Sequence, residues 1–118
     1  MESQNNRTLA RTKAEMLKAL AHPTRVGILE YLKGGERCVC EIIEHLNIEQ
    51  SNVSQHLAIL KRLGLVSFRR DGLKMIYRVK HKEVFAILHL LESMVTAQAR
   101  ETAAMLESLD GKKEAGQH

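Results

Sequence analysis

The sequence predicts a mainly α-helical chain with one β-hairpin, and three observations carry that prediction. Apolar residues recur at helical spacing through most of the chain. Breaks at His22-Pro23, Gly34-Gly35, Asn47 and Gly64 cut the helical part into segments. Asp71-Gly72 separates two short runs with strand character, a hairpin signal because both turn positions favour positive φ.

Residues 1–7 are polar and read as a flexible N-terminal arm, residues 8–109 as one folded domain, and residues 110–118 as a polar tail. From Thr8 to Leu20 the stripe is Leu9, Met16, Leu17 and Leu20. Pro23 suits the first position of a second helix, where its missing N–H costs nothing; that helix carries Val26, Ile28, Leu29 and Leu32 and ends at Gly34-Gly35. Cys38 to Leu46 reads as a third helix with Ile42, Ile43 and Leu46 inward, Asn47 as a left-handed cap and Ile48 as the apolar residue after it. Ser51 to Leu63 is a fourth, with stripe Val53, Leu57, Leu60 and Leu63, N-cap Ser51 or Gln50, and Gly64 as its stop. Leu65 to Arg70 and Leu73 to Val79 are the strands. The last helix runs from about Lys82 to Leu109; Val84, Ile87, Leu88, Leu91, Met94 and Val95 give it a wide apolar face, which Met105, Leu106 and Leu109 continue more thinly.

Two short helices joined by a tight turn, directly ahead of a hairpin, make a winged helix-turn-helix: mainly α with a β-hairpin wing, in the order α-α-α-α-β-β-α. The apolar face of the last helix is wider than one small domain needs to cover, which points to a homodimer.

The net charge of +4 has the sign that suits a polyanion. A membrane surface would also suit a basic chain, but there is no long apolar run, signal peptide or lipidation motif, so the expectation is a cytoplasmic protein with no membrane partner. Aromatic residues make up 3% of the chain and tryptophan is absent, which argues against base stacking on single strands.

Gln50, Ser51, Asn52, Ser54 and Gln55 are polar side chains around the start of the fourth helix, suited to base edges in a major groove. His56 is within reach of a phosphate, Lys61 and Arg62 stand at the far end of the same helix, and Arg69, Arg70 and Lys74 put three cations on the hairpin. Double-stranded DNA, read as a near-palindromic operator by a two-fold dimer, is the expected partner.

Four segments resemble the ArsR/SmtB family of dimeric metal- and thiol-sensing repressors: Leu20-Ala21-His22-Pro23-Thr24-Arg25, Cys38-Val39-Cys40-Glu41-Ile42, Gln50-Ser51-Asn52-Val53-Ser54-Gln55-His56-Leu57 and Leu60-Lys61-Arg62-Leu63-Gly64-Leu65-Val66. The resemblance covers about residues 10 to 95. It implies pairing of the first and last helices across a dimer, an apo form that holds an operator, and release by an inducer.

Within that resemblance Cys38 and Cys40 look like the family's thiolate metal site. Two thiolates suit soft ions, and a helix N-terminus beside Arg37 favours thiolate. With one residue between them the two are poorly placed for a disulfide that staples a fold. On a regular helix, residues two apart lie about 200° apart, so both sulfurs are expected to reach one ion only if the first turn unwinds. Arsenite or antimonite, or another thiophilic ion, is the expected inducer, with no resident cofactor required. Some arsenite-sensing members have a third cysteine where this chain has Ile43, which leaves the third ligand to a small thiol, water or the other subunit. A redox or persulfide response of the same pair is the alternative.

The family's zinc site on the last helix is echoed by His81 and Glu83, and His89 and Glu92 are three apart, but the second ligand pair should fall near Met94 and Ala97, so the spacing fails. His22 reads as a turn residue and His45 as exposed. A thiol–disulfide exchange enzyme is the reading from another class, and it lacks the strand-loop-helix setting such an enzyme needs. An interaction module without DNA binding is the other rival, testable by charge reversal of Arg69, Arg70 and Lys74.

Overall fold

A computed structural model describes the backbone of residues 2–116 and the side chains of residues 4–111. The elements are α1 (Glu2–Leu20), α2 (Pro23–Leu32), β1 (Arg37–Cys38), α3 (Val39–Leu46), α4 (Gln50–Arg62), β2 (Val66–Asp71), β3 (Lys74–Val79) and α5 (Glu83–Gly116). The chain divides into two compact units, 1–85 and 86–118.

In the first unit the core is Ile28 and Leu29 from α2, Ile42 from α3, and Val53, Leu57 and Leu60 from α4, all essentially inaccessible to solvent. Each such side chain contributes roughly 1.5–3 kcal/mol relative to exposure. These are the stripes the sequence marked, so α4 is seated on α2 and α3 by its inward face. Leu65, Val66 and Tyr77 close the core from the sheet side.

The caps explain where the helices begin and end. Pro23 opens α2 behind His22, whose Nδ1 accepts the Thr24 backbone N–H at 3.1 Å. Asn47 ends α3 in the left-handed region, φ 54° and ψ 47°, as its residue type suggests.

Four local expectations are corrected. Helix α1 starts at Glu2, inside the segment read as an arm, and α5 continues through residues read as a tail; neither stretch contains proline, and the hydrogen-bond ladder propagates once the apolar turns have nucleated it. Met1 of the arm and residues 117–118 of the tail lie outside the described residues. The N-cap of α4 is Glu49 rather than Ser51 or Gln50. The hairpin loop is Gly72-Leu73, since Asp71 pairs with Lys74; Gly72 alone carries the positive φ, 64°, which suits a turn with glycine first. The sheet also has a third strand that periodicity could not reveal in two residues: β1 pairs antiparallel with β3, Cys38 opposite Ile76, in the order β1-β3-β2.

In the second unit, α5 presents Ile87, Leu90, Leu91, Met94, Val95, Met105, Leu106 and Leu109 to solvent. On α1, Leu9, Met16 and Leu17 are exposed as well. No described helix is long and apolar enough to cross a membrane.

Candidate nucleic-acid interface and thiol site

Each residue of α4 turns about 100° from the last, so burying Val53, Leu57 and Leu60 fixes the direction of everything else. Ser51, Asn52, Gln55 and Arg62 are exposed. Gln50 and Ser54 are also exposed, but they line a cleft beside the wing. Lys61 leans over Phe68 of β2, with Nζ 4.0 Å from the ring centroid. No side chain caps the start of α4, so its first backbone N–H groups are open to an incoming anion.

The wing cations are not equivalent. Arg69 donates through Nε and Nη2 to one carboxylate oxygen of Glu36, at 3.1 and 2.9 Å, and that hydrogen bond together with the Glu36 charge holds its guanidinium above its usual range. Arg69 is therefore already engaged. Arg70 and Lys74 are exposed and make no ion pair among the described residues. They are the cations the wing can offer freely.

On the opposite flank of α4, His56 is half-buried. Its Nδ1 accepts from Nε of Arg25 at 3.2 Å, and its ring lies 4.3 Å, centroid to centroid, from that of His22. Arg25 is anchored in turn by a 3.0 Å bond from Nη1 to the Ala19 carbonyl. Desolvation, then the charges of His22 and Arg25, push the His56 imidazole below its ordinary value of 6.5. A histidine expected to reach a phosphate is thus a tie between α4 and α2. With Nδ1 accepting, its proton sits on Nε2.

The two cysteines sit where strand becomes helix. Cys38 is the N-cap of α3 in extended backbone, φ −74° and ψ 157°, and Cys40 is in the first turn. The Cys38 Sγ accepts the Glu41 N–H at 3.3 Å, while Glu41 Oε1 accepts the Cys38 N–H at 3.1 Å, a reciprocal capping box. Arg37 stacks over Tyr31 and pairs with Glu41 at 3.7 Å; Tyr31 also stacks on His45.

The Sγ atoms of Cys38 and Cys40 are bonded, with Cα atoms 5.3 Å apart. The premise that both cysteines lie on one regular helix is corrected: Cys38 is the N-cap, outside the helix, so the 200° separation does not apply. The link closes only its own turn and staples no distant segments.

The sulfurs open onto a cleft of about 470 Å³. Its α3 wall includes Val39, Cys40 and Ile43, its α4 wall Gln50, Ser54 and Leu57, and its wing wall Leu73, Lys74, Met75 and Tyr77. Burial pushes the Tyr77 phenol above its ordinary value. The thiol pair, the start of α4 and the wing therefore share one space. Sequence reasoning missed this, although Leu73, Met75 and Tyr77 alternate along β3 and its tip and so face one way.

His81, Glu83, His89 and Glu92 are all exposed. Among the described residues no group of three or more His, Cys, Asp or Glu side chains is placed to hold a metal ion.

Residues 22–67 match the family model described as "Bacterial regulatory protein, arsR family". The HTH-type transcriptional regulator Rv0081 of Mycobacterium tuberculosis is 38% identical over 110 residues, covering 92% of this chain and 94% of that protein. A probable mercury resistance operon repressor of Streptomyces lividans is 40% identical, covering 75% and 70%. An arsenical resistance operon repressor of Staphylococcus aureus is 34% identical, covering 72% and 82%. The crystal structure of Rv0081 superposes with a TM-score of 0.74 at 36% identity, covering 80% of this chain and 96% of that one. The solution structure of the homodimeric winged helix-turn-helix DNA-binding domain of Mb0332 from Mycobacterium bovis superposes with a TM-score of 0.73 at 30% identity, covering 81% and 89%. These relatives are regulators and repressors rather than enzymes, which sets aside the exchange-enzyme reading.

Proposed function

Because the chain belongs to the ArsR/SmtB family of DNA-binding transcriptional repressors, we propose that it acts as a homodimer whose Cys38–Cys40 pair releases it from its operator on capturing a thiophilic ion. The observation that carries this reading is the shared cleft. Cys38 and Cys40 line the same space as Gln50 and Ser54 of α4 and Lys74 of the wing. A ligand held on the sulfurs competes there for side chains that would otherwise meet DNA.

The ion class follows from the donors. Two sulfurs within mutual reach suit a soft ion, and relatives named for mercury and arsenical resistance support the same class. Ile43 supplies no third sulfur, so arsenite or antimonite needs an outside ligand, whereas mercuric ion is satisfied by two. The exposed apolar faces of α1 and α5 support the dimer, as does the homodimeric Mb0332 domain. A two-fold dimer would read a near-palindromic site through Ser51, Asn52 and Gln55, with Arg62 and Arg70 on phosphates.

One observation favours a second reading. The sulfurs are bonded, and loss of two electrons from the dithiol gives the same product without any ion. Affinity of the reduced protein for its own promoter region, measured with and without arsenite, mercuric ion and peroxide, separates the two. Release by an ion, lost in Cys38→Ser and Cys40→Ser, supports the first reading. Release by peroxide alone replaces it with the second. No release by any of them refutes both.

A further inference from the structure

The cleft is far larger than an ion needs. At about 470 Å³ it falls in the range of small-molecule sites, roughly 300–1,000 Å³, and its lining is mostly apolar with a few polar groups. We propose that it is a docking site for a small, carboxylate-bearing peptide-like thiol, which exchanges with the Cys38–Cys40 disulfide by attacking Cys40. The proposal rests on the reading of these cysteines as a reactive pair.

Three observations support it. The first is the asymmetry of the sulfurs. Cys38 is 4% exposed, whereas Cys40 faces solvent, and exchange depends on which sulfur can be approached. The second is the leaving group. The Glu41 N–H that points at Cys38 Sγ, backed by the N-terminus of α3, is placed to stabilise charge that develops there. The third is the rest of the cleft. Lys74 is exposed and without an ion pair among the described residues, which suits a carboxylate, and Gln50 and Ser54 suit the amide groups of a peptide backbone.

The steps balance. A thiolate RS⁻ attacks Cys40 Sγ; the Cys38–Cys40 bond breaks and its electron pair leaves as Cys38 thiolate. Cys40 now carries the mixed disulfide. A second RS⁻ attacks the R sulfur, giving RSSR and Cys40 thiolate. The protein disulfide gains two electrons and two small thiolates lose them.

The test uses the reverse half-reaction on full-length single-cysteine variants, with no DNA present. Cys38→Ser keeps an N-cap side chain, so α3 retains its start. Each variant is mixed with glutathione disulfide, which is anionic, or with neutral hydroxyethyl disulfide, and adduct formation is followed by intact mass. Cys40 in Cys38→Ser should react about tenfold faster than Cys38 in Cys40→Ser. Adding Lys74→Glu to Cys38→Ser should slow the glutathione reaction at least about threefold more than it slows the reaction with the neutral probe. Equal rates for the two cysteines, or a Lys74→Glu effect that is absent or identical for both probes, overturns the proposal. Promoter affinity of the oxidised and reduced wild-type protein is read separately. If the two are equal the redox reading of function fails, while the exchange chemistry stands or falls on its own rates.

Discussion

Helices α3 and α4 share one core, yet they begin in opposite ways. α3 opens on Cys38 and Glu41, which satisfy each other's backbone N–H groups in a closed capping box. α4 opens on Glu49 with no side-chain hydrogen bond. The first N-terminus is satisfied from within, and one of its two caps is a sulfur. The second is left with open donors at the end that carries Ser51 and Asn52. Within one helix pair, the closed start carries the two sulfurs and the open start carries unsatisfied donors; under the proposed function the first would sense and the second would face DNA. The cleft puts Cys38 and Cys40 in one lining with Gln50 and Ser54, which is the arrangement the proposed release requires.

The largest expected effect comes from removing what the two helices have in common. Leu57 is 1% exposed and lies on the inward face of α4. Leu57→Ala should cost about 2–5 kcal/mol of stability, measured by denaturant unfolding, and should weaken both operator binding and the response to thiol ligands. A variant that loses one function and keeps the other would show that the two starts are not seated on a common core.

A smaller effect separates the caps. Cys38→Ala removes the sulfur acceptor and should cost about 1 kcal/mol, whereas Cys38→Ser, which keeps an acceptor at the same place, should cost much less. Equal losses would mean that the sulfur's value lies in its packing and not in its bond to the Glu41 N–H.

How much of this was legible beforehand follows the range of each interaction. The stripe Val53, Leu57 and Leu60, the proline start of α2 and the Asn47 cap are set by neighbours within a few residues, and the sequence displays them directly. The N-cap role of Cys38 was local too, but cysteine is not among the usual capping residues. The signal that could have found it was Glu41 three positions on, the spacing of a capping box. The pairing of Arg69 with Glu36 and of His56 with Arg25 joins residues 33 and 31 apart in the chain. No periodicity announces such contacts. The cleft needs the register of β3 against two helices, and so it becomes visible only in the fold.

The comparison is sharpened by closing the open start. Glu49→Ser gives α4 an acceptor for its own N–H groups, which should raise stability by about 0.5–1 kcal/mol. The same change should weaken operator binding, because those donors are no longer free for a phosphate. Tighter DNA binding together with higher stability would place the phosphate elsewhere on the protein.

The last and smallest effect lies on the flank of α4 that faces α2. His56 accepts from Arg25 and stands against the His22 ring; desolvation first, and then these two neighbours, disfavour its charged form. Its imidazole is held below 6.5, the value it regains on unfolding. Between those two values the unfolded chain binds the proton and the folded chain does not. Stability from this tie is therefore complete above pH 6.5 and is lost as pH falls through 6.5 toward the depressed folded value. His56→Gln keeps a carbonyl acceptor for Arg25 and cannot titrate, so its unfolding free energy should fall less than that of the wild type between pH 7 and about 5. If the two pH profiles run parallel, the Arg25–His56 bond contributes nothing that depends on the proton, and α4 is held on that flank by packing alone.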